Sequence, residues 1–147
     1  MSVSHAALLD TDVYSALFIT PARVVEKQGH PVDAWRIALT GYRPVIAFQT
    51  RAEILGGALL ARWGAKRLDQ TREQLDATPT VDEDINVVDA YSQLLVEARD
   101  LGHPLGDAAH HVGDRWIAAC AIAKMLPLLT GNARHFRGAP RLELLEY

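Results

Sequence analysis

Ala6-Ala7-Leu8-Leu9-Asp10-Thr11 is an apolar run closed by a carboxylate, and its reading decides the fold. A short uninterrupted apolar run of this kind reads as a buried strand. A carboxylate at the end of such a strand is badly placed for packing, but well placed to hold a hard cation through oxygen ligands. Related arrangements recur along the chain. Glu53 follows Val45-Ile46-Ala47-Phe48 by a few residues, Asp114 opens the stretch Trp116-Ile117-Ala118-Ala119, and Asn132 follows Leu128-Leu129-Thr130. The pattern points to metal-dependent chemistry on an anionic substrate.

Outward from this run, further strands are expected at residues 45–48, 80–81, 127–130 and 142–145. Helices alternate with them. One covers residues 31–39 and stops near Gly41; another runs from Gln49 to Trp63, with Leu55, Ala58 and Leu59 on one face and Gly64 after it. A further helix covers residues 66–77. The clearest runs to Leu101: Val87, Tyr91, Leu94, Leu95, Ala98 and Leu101 recur at helical spacing, with Asp82 or Asp84 as N-cap and Gly102 beyond the end. Residues 112–125 and a short turn at 132–136 complete the set. Strands alternating with helices predict an α/β fold with a central parallel sheet of about five strands, covered on both faces.

Composition sets the remaining bounds. A chain of 147 residues without internal repeat or linker fits a single domain, residues 1–147. Hydrophobic residues at 49% and charged residues at 22% are ordinary for a globular protein and argue against disorder. The apolar runs are too short to cross a bilayer, and Met1-Ser2-Val3-Ser4-His5 lacks the basic and apolar regions of a signal peptide. Cys120, the single cysteine, has no internal disulfide partner, and a reducing cytoplasmic setting is the expectation. A net charge of −3 does not itself favour nucleic acid. Basic residues nevertheless gather at Arg51, Arg62, Lys66, Arg67 and Arg72, and again at Arg134, Arg137 and Arg141.

In an open parallel sheet, ligands bind outside the carboxyl ends of the strands, where the strand order reverses. Asp10, Glu53, Asp114 and Asn132 are all candidates for that edge. Each has an ordinary explanation alone, as helix cap, dipole partner or turn residue. Carboxylates converging on one crevice repel one another unless a cation binds, so the set together favours a site.

The strings Leu8-Leu9-Asp10-Thr11-Asp12-Val13-Tyr14, Phe48-Gln49-Thr50-Arg51-Ala52-Glu53-Ile54, Gly113-Asp114-Arg115-Trp116-Ile117-Ala118-Ala119 and Leu129-Thr130-Gly131-Asn132-Ala133-Arg134-His135-Phe136 resemble PIN-domain ribonucleases. The VapC toxins of bacterial toxin–antitoxin pairs are the most similar subgroup, and the resemblance runs from about Ala7 to Leu145. It implies a PIN-like fold, a divalent metal in an acidic pocket, and endonucleolytic cleavage of RNA leaving 5′-phosphate and 3′-hydroxyl ends. Asp10, Glu53 and Asp114 match the family's acidic positions and are the expected metal ligands, for magnesium or manganese. Asn132 stands at a fourth position that is commonly acidic, which weakens the case for a second metal. Thr11 and Thr130 match supporting hydroxyls; Asp12 replaces a Ser or Asn, either adding a carboxylate or capping the following helix. Bound metal would polarise the scissile phosphate and activate a water, with no side-chain nucleophile. Arg51, Arg115, Arg134 and Arg137 are the candidate phosphate contacts. The resemblance also implies a homodimer, burying a face that includes Leu55, Leu59 and Trp63, and an antitoxin protein that docks on the long helices and blocks the pocket.

Other readings compete. Asp10-Thr11-Asp12-Val13 also resembles the aspartyl nucleophile motif of haloacid-dehalogenase-type phosphatases, but Lys124 sits mid-helix and Gly131-Asn132 replaces the acidic pair that class needs. A non-catalytic PIN fold that binds RNA or protein has Asn132 as its only support. The histidines, including His103, His110, His111 and His135, show no recognised zinc spacing and accompany no cysteine cluster. His135 reads as a surface or RNA-side residue. Trp35, Trp63 and Trp116 read as packing rather than base-stacking platforms.

Overall fold

The computed structural model describes residues 5–147, so the reading of the first four residues as lacking a leader lies outside it. Among the described residues four parallel strands form the sheet: β1 (His5–Leu9), β2 (Tyr42–Ala47), β3 (Thr80–Val81) and β4 (Leu128–Leu129), in the order β3-β2-β1-β4. The chain moves outward from β1 through β2 to β3, then returns to β1's other side for β4. The order therefore reverses at β1, and the crevice for a ligand falls where β1 and β4 end.

Among the described residues eight helices accompany the sheet: α1 (Thr11–Tyr14), α2 (Ala22–Gln28), α3 (Val32–Ala38), α4 (Phe48–Leu60), α5 (Ala65–Asp76), α6 (Ile85–Asp100), α7 (Val112–Ala123) and α8 (Ala133–Phe136). A π-helical turn, Ser15–Ile19, extends α1, and a 3-10 turn, Pro104–Gly106, precedes α7. The sequence did not signal α2. The cap of α6 is Asp84, whose carboxylate accepts the Val87 amide at 3.0 Å.

The expected fifth strand at residues 142–145 is corrected to a single parallel bridge, Leu128 to Leu144. Glu143 carbonyl accepts the Leu128 amide and Leu128 carbonyl accepts the Leu145 amide. One bridge suffices because β4 is only two residues long, so the C-terminal segment finds no longer edge to pair with.

Neighbouring residues on each strand face opposite sides, as strand geometry requires. Leu8, Val45, Ala47, Val81 and Leu128 pack with Val87, Leu94 and Ala98 of α6 and Ile117 and Ala121 of α7. Leu9, Ile46 and Leu129 pack on the other side with Val13, Tyr14, Trp35, Ile54 and Leu75. β1, β2 and β4 are thus apolar on both faces, which explains their uninterrupted hydrophobic runs. The two covered faces leave the carboxyl edge as the place where polar side chains gather.

Candidate functional site

Asp10 immediately follows β1 and is 5% exposed. The register Leu9 opposite Leu129 brings it beside Thr130, because Asp10 N–H donates to the Leu129 carbonyl at 2.9 Å. Thr130 Oγ1 donates to Asp10 Oδ2 at 2.6 Å, and Thr11 N–H donates to Oδ1 at 2.8 Å. The carboxylate therefore also caps α1. These two bonds oppose a larger effect. Burial, followed by the negative charge of Asp12, raises the Asp10 carboxyl to about 7, and Asp114 adds to the same repulsion.

Of the two readings of Asp12, the helix cap is not the one found. Asp10 holds that position, and Asp12 instead clasps α1 to the β4–α8 loop. Its Oδ2 accepts the Gly131 amide at 3.0 Å, while Oδ1 accepts the Val13 amide at 2.7 Å. Burial pushes its carboxyl upward, against both amide bonds, and Asp114 contributes again. Gly131 is required by close approach: a Cβ there would run into Asp12 Oδ2 and stand 3.0 Å from Trp35 Cζ2.

Glu53 arrives from the second turn of α4. Thr11 Oγ1 donates to Glu53 Oε2 and also pairs with the buried Thr50 hydroxyl at 2.9 Å. Thr50 completes this hydroxyl relay and was missed from sequence, where it passed as an ordinary helical residue. Its place one helical turn before Glu53 was the available signal. The first turn of α7 comes equally close: a Cβ on Gly113 would lie 3.1 Å from Glu53 Oε1 and 3.0 Å from Gln49 Nε2. Asp114 is next in sequence, half-buried in that turn.

The structure thus gathers Asp10, Asp12, Glu53 and Asp114 at the strand ends, with Thr11, Thr50 and Thr130 between them. Asn132 is exposed after β4. Its backbone amide donates to Thr130 Oγ1 at 3.0 Å, one hydrogen bond from Asp10, while its side chain makes no cap bond to α8.

Two histidines flank Asp114 on its outer side. His111 Nδ1 is 3.8 Å and His135 Nδ1 3.5 Å from Asp114 Oδ2. Sequence spacing placed His135 on the surface; only the packing of α8 against α7 brings it to Asp114. His111 was available as a signal, three residues before the acid.

The basic candidates separate. Arg115 is corrected: it is fully buried and cannot meet a phosphate. Its guanidinium donates to the carbonyls of Leu105 (2.7 Å), Asp107 (2.5 Å) and His110 (2.8 Å) and to the Tyr91 hydroxyl (3.0 Å). On a helix, adjacent residues point about 100° apart, so Asp114 at the pocket turns Arg115 inward. Arg51 is half-buried and paired with Asp76 of α5. Arg134 and Arg137 are exposed around α8, the latter 3.9 Å from Glu146. Lys124 bonds Asp84, so it does not serve Asp10 as a phosphatase lysine. Trp35 is buried, Trp116 stacks on Tyr91 with centroids 4.0 Å apart, and Trp63 lies beneath the Arg67 guanidinium.

A small α/β fold with carboxylates gathered where β1 and β4 end defines the class, and the PIN domain family matches residues 7–142. The chain belongs to the PIN domain family. Three solved structures show how widely the fold is shared. VapBC2 from Rickettsia felis, bound to a DNA fragment from its promoter, matches with a TM-score of 0.70 at 18% identity, over 97% of this chain and 98% of that one. VapBC-1 from nontypeable Haemophilus influenzae matches with a TM-score of 0.69 at 20% identity, over 95% and 96%. DNA-bound VapBC from Salmonella typhimurium gives 0.65 at 19% identity, over 95% and 96%. No curated protein sequence matches significantly.

Proposed function

We propose that this chain is a divalent-metal-dependent endoribonuclease, the VapC-type toxin of a toxin–antitoxin pair. The observation that carries the proposal is the convergence of Asp10, Asp12, Glu53 and Asp114 at the ends of β1 and β4, where burial and neighbouring negative charge raise the Asp10 carboxyl. A pocket that repels its own charges gains stability from a cation. The donors fit a hard divalent ion: Asp10, Glu53 and Asp114 offer carboxylate oxygens, which suit magnesium or manganese. When bound, such an ion supplies Lewis-acid stabilisation to a phosphodiester and acidifies a water.

The protein's own groups orient that chemistry. Thr130 and the Thr11 amide fix the Asp10 carboxylate, and Thr11 with Thr50 fixes Glu53. Asn132, tied by its backbone amide to the Thr130 hydroxyl that holds Asp10, would position a phosphate or water as a neutral donor and acceptor without adding charge. Arg134 and Arg137 contact the RNA backbone beside the pocket. Cys120 is no nucleophile, since burial pushes its thiol up to about 12.

The partner reading rests on the fold's likeness to toxin–antitoxin complexes and on exposed apolar residues. Ile85, Val88 and Val96 stand exposed on α6, and Leu59 and Leu60 on α4. An antitoxin helix would cover the α6 residues and carry a basic side chain into the acidic pocket. A second copy would cover the end of α4. Among the described residues no helix is long and apolar enough to cross a membrane, and the proposed place of action is the cytoplasm, with its RNA.

The test is incubation of purified protein with total RNA, with magnesium, with manganese, and with EDTA. Cleavage that needs the metal and yields 5′-phosphate ends supports the reading. Intact RNA under all three conditions favours a non-catalytic RNA- or protein-binding PIN module, the alternative that Asn132 suggests. Asn132→Asp then discriminates: an active variant would show that the missing charge is the cause.

A further inference from the structure

The outer side of Asp114 carries a grouping that hard-cation chemistry does not require. His111 Nδ1, His135 Nδ1 and Asp114 lie together, with one ligand atom from each within 4.8 Å of the others. The nitrogen–oxygen separations of 3.5 and 3.8 Å exceed a directed N–H···O bond. Each histidine also lies within ion-pair distance of Asp114, and a single carboxylate oxygen faces both imidazoles. An ion held at ~2.0–2.1 Å by tetrahedral ligands gives ligand–ligand edges of roughly 3.4 Å, near the two histidine–aspartate separations.

Three further features support a ligand set. Among the described residues neither imidazole has a side-chain hydrogen bond with a group outside the cluster, and in each it is Nδ1 that lies near Asp114. The rings stand edge to face, centroids 5.6 Å apart, so neither blocks the space between them. His111 is held at φ 58°, a left-handed conformation unusual outside glycine, at the start of α7. His111 stands three residues before Asp114 in the chain, and α8 supplies His135.

We infer that His111, His135 and Asp114 form a site for a zinc-class divalent ion, adjoining the hard-cation pocket and sharing Asp114 with it. Two imidazoles and one carboxylate suit zinc or cobalt far better than magnesium. Three protein ligands leave a fourth position for water or a phosphate oxygen. The site would restore positive charge next to Asn132, where the pocket lacks an acid. It stands on its own geometry and does not require that the protein cut RNA.

The test uses tag-free protein, zinc titration by calorimetry in saturating magnesium, and cobalt absorption as a reporter of nitrogen ligation. The expected result is one zinc per chain, with His111→Ala and His135→Ala each weakening it at least roughly tenfold while Asp10→Asn changes it less than about threefold. The cobalt spectrum should be tetrahedral in the native protein and lost in both histidine variants. Circular dichroism checks folding, and the milder His135→Gln provides a second measurement should either alanine variant unfold. Zinc affinity unmoved by the histidine changes, affinity lost equally in Asp10→Asn, or no binding below roughly 1 mM would overturn the site. All readouts are free of RNA, so their failure leaves the nuclease reading standing, and an inert nuclease leaves the zinc site testable.

Discussion

Thr130 donates its hydroxyl to Asp10 Oδ2 over 2.6 Å, joining residues 120 positions apart at the ends of neighbouring parallel strands. The same Thr130 oxygen accepts the Asn132 amide. One hydroxyl therefore fixes both the most buried carboxylate of the pocket and the turn that carries Asn132. The pocket is built by strand register, since slipping β4 by one residue against β1 would turn Thr130 away from Asp10.

Asp10→Asn removes a charged oxygen while keeping the shape of the side chain. RNA cleavage should fall by about 100-fold or more, because the cation loses a principal ligand. The fold should remain, as judged by circular dichroism. Cleavage rates within error of the native protein would exclude Asp10 from the chemistry.

Asp10 also gives a pH dependence whose sign is fixed. Its ordinary value is 3.8 and the folded chain raises it to about 7. From about pH 4 to 7 the folded state holds a proton that the unfolded state has released, so stability falls as pH rises through that window. Urea denaturation in EDTA should show native protein losing ground to Asp10→Asn across this range, and magnesium should recover it. A difference between the two proteins that stays flat with pH would contradict the buried-charge account.

Arg115 is a structural anchor, so its replacement should be felt in stability. Arg115→Ala strands three interior carbonyls and should cost about 3 kcal/mol or more. Urea midpoints report the loss. A change below about 1 kcal/mol would mean that water replaces the guanidinium at little cost.

Gly131→Ala tests the clasp between Asp12 and the β4–α8 loop. The added methyl meets Asp12 Oδ2 and the Trp35 ring. It should destabilise the protein by about 1–3 kcal/mol through overpacking and weaken magnesium binding measured by calorimetry. Unchanged values for both would show that the loop yields without disturbing the pocket.

Leu59 is 55% and Leu60 87% exposed at the end of α4. Light scattering should give twice the 16.2 kDa chain mass, and Leu60→Lys should shift the protein toward monomer. A native monomer at every concentration tested would remove α4 as a self-association face.

Local chemistry in the sequence determined much of this protein. Apolar runs marked β1, β2 and β4, an aspartate cap at 82 or 84 and the spacing from Val87 marked α6, and carboxylates beside such elements marked Asp10, Glu53 and Asp114 as candidates. Those signals survive in one dimension because burial and helix periodicity act on near neighbours. The remaining decisions belonged to tertiary structure. Arg115 and Asp114 are adjacent in sequence, yet one faces a core of carbonyls and the other the pocket, according to how α7 is rotated. Asp12 became a clasp because Gly131 packs against it, and residues 142–145 formed one bridge because β4 offered no more edge. His135 reached Asp114 only when α8 docked on α7. Distances between residues far apart in the chain follow from strand register and helix rotation, which depend on the whole core and leave little local trace.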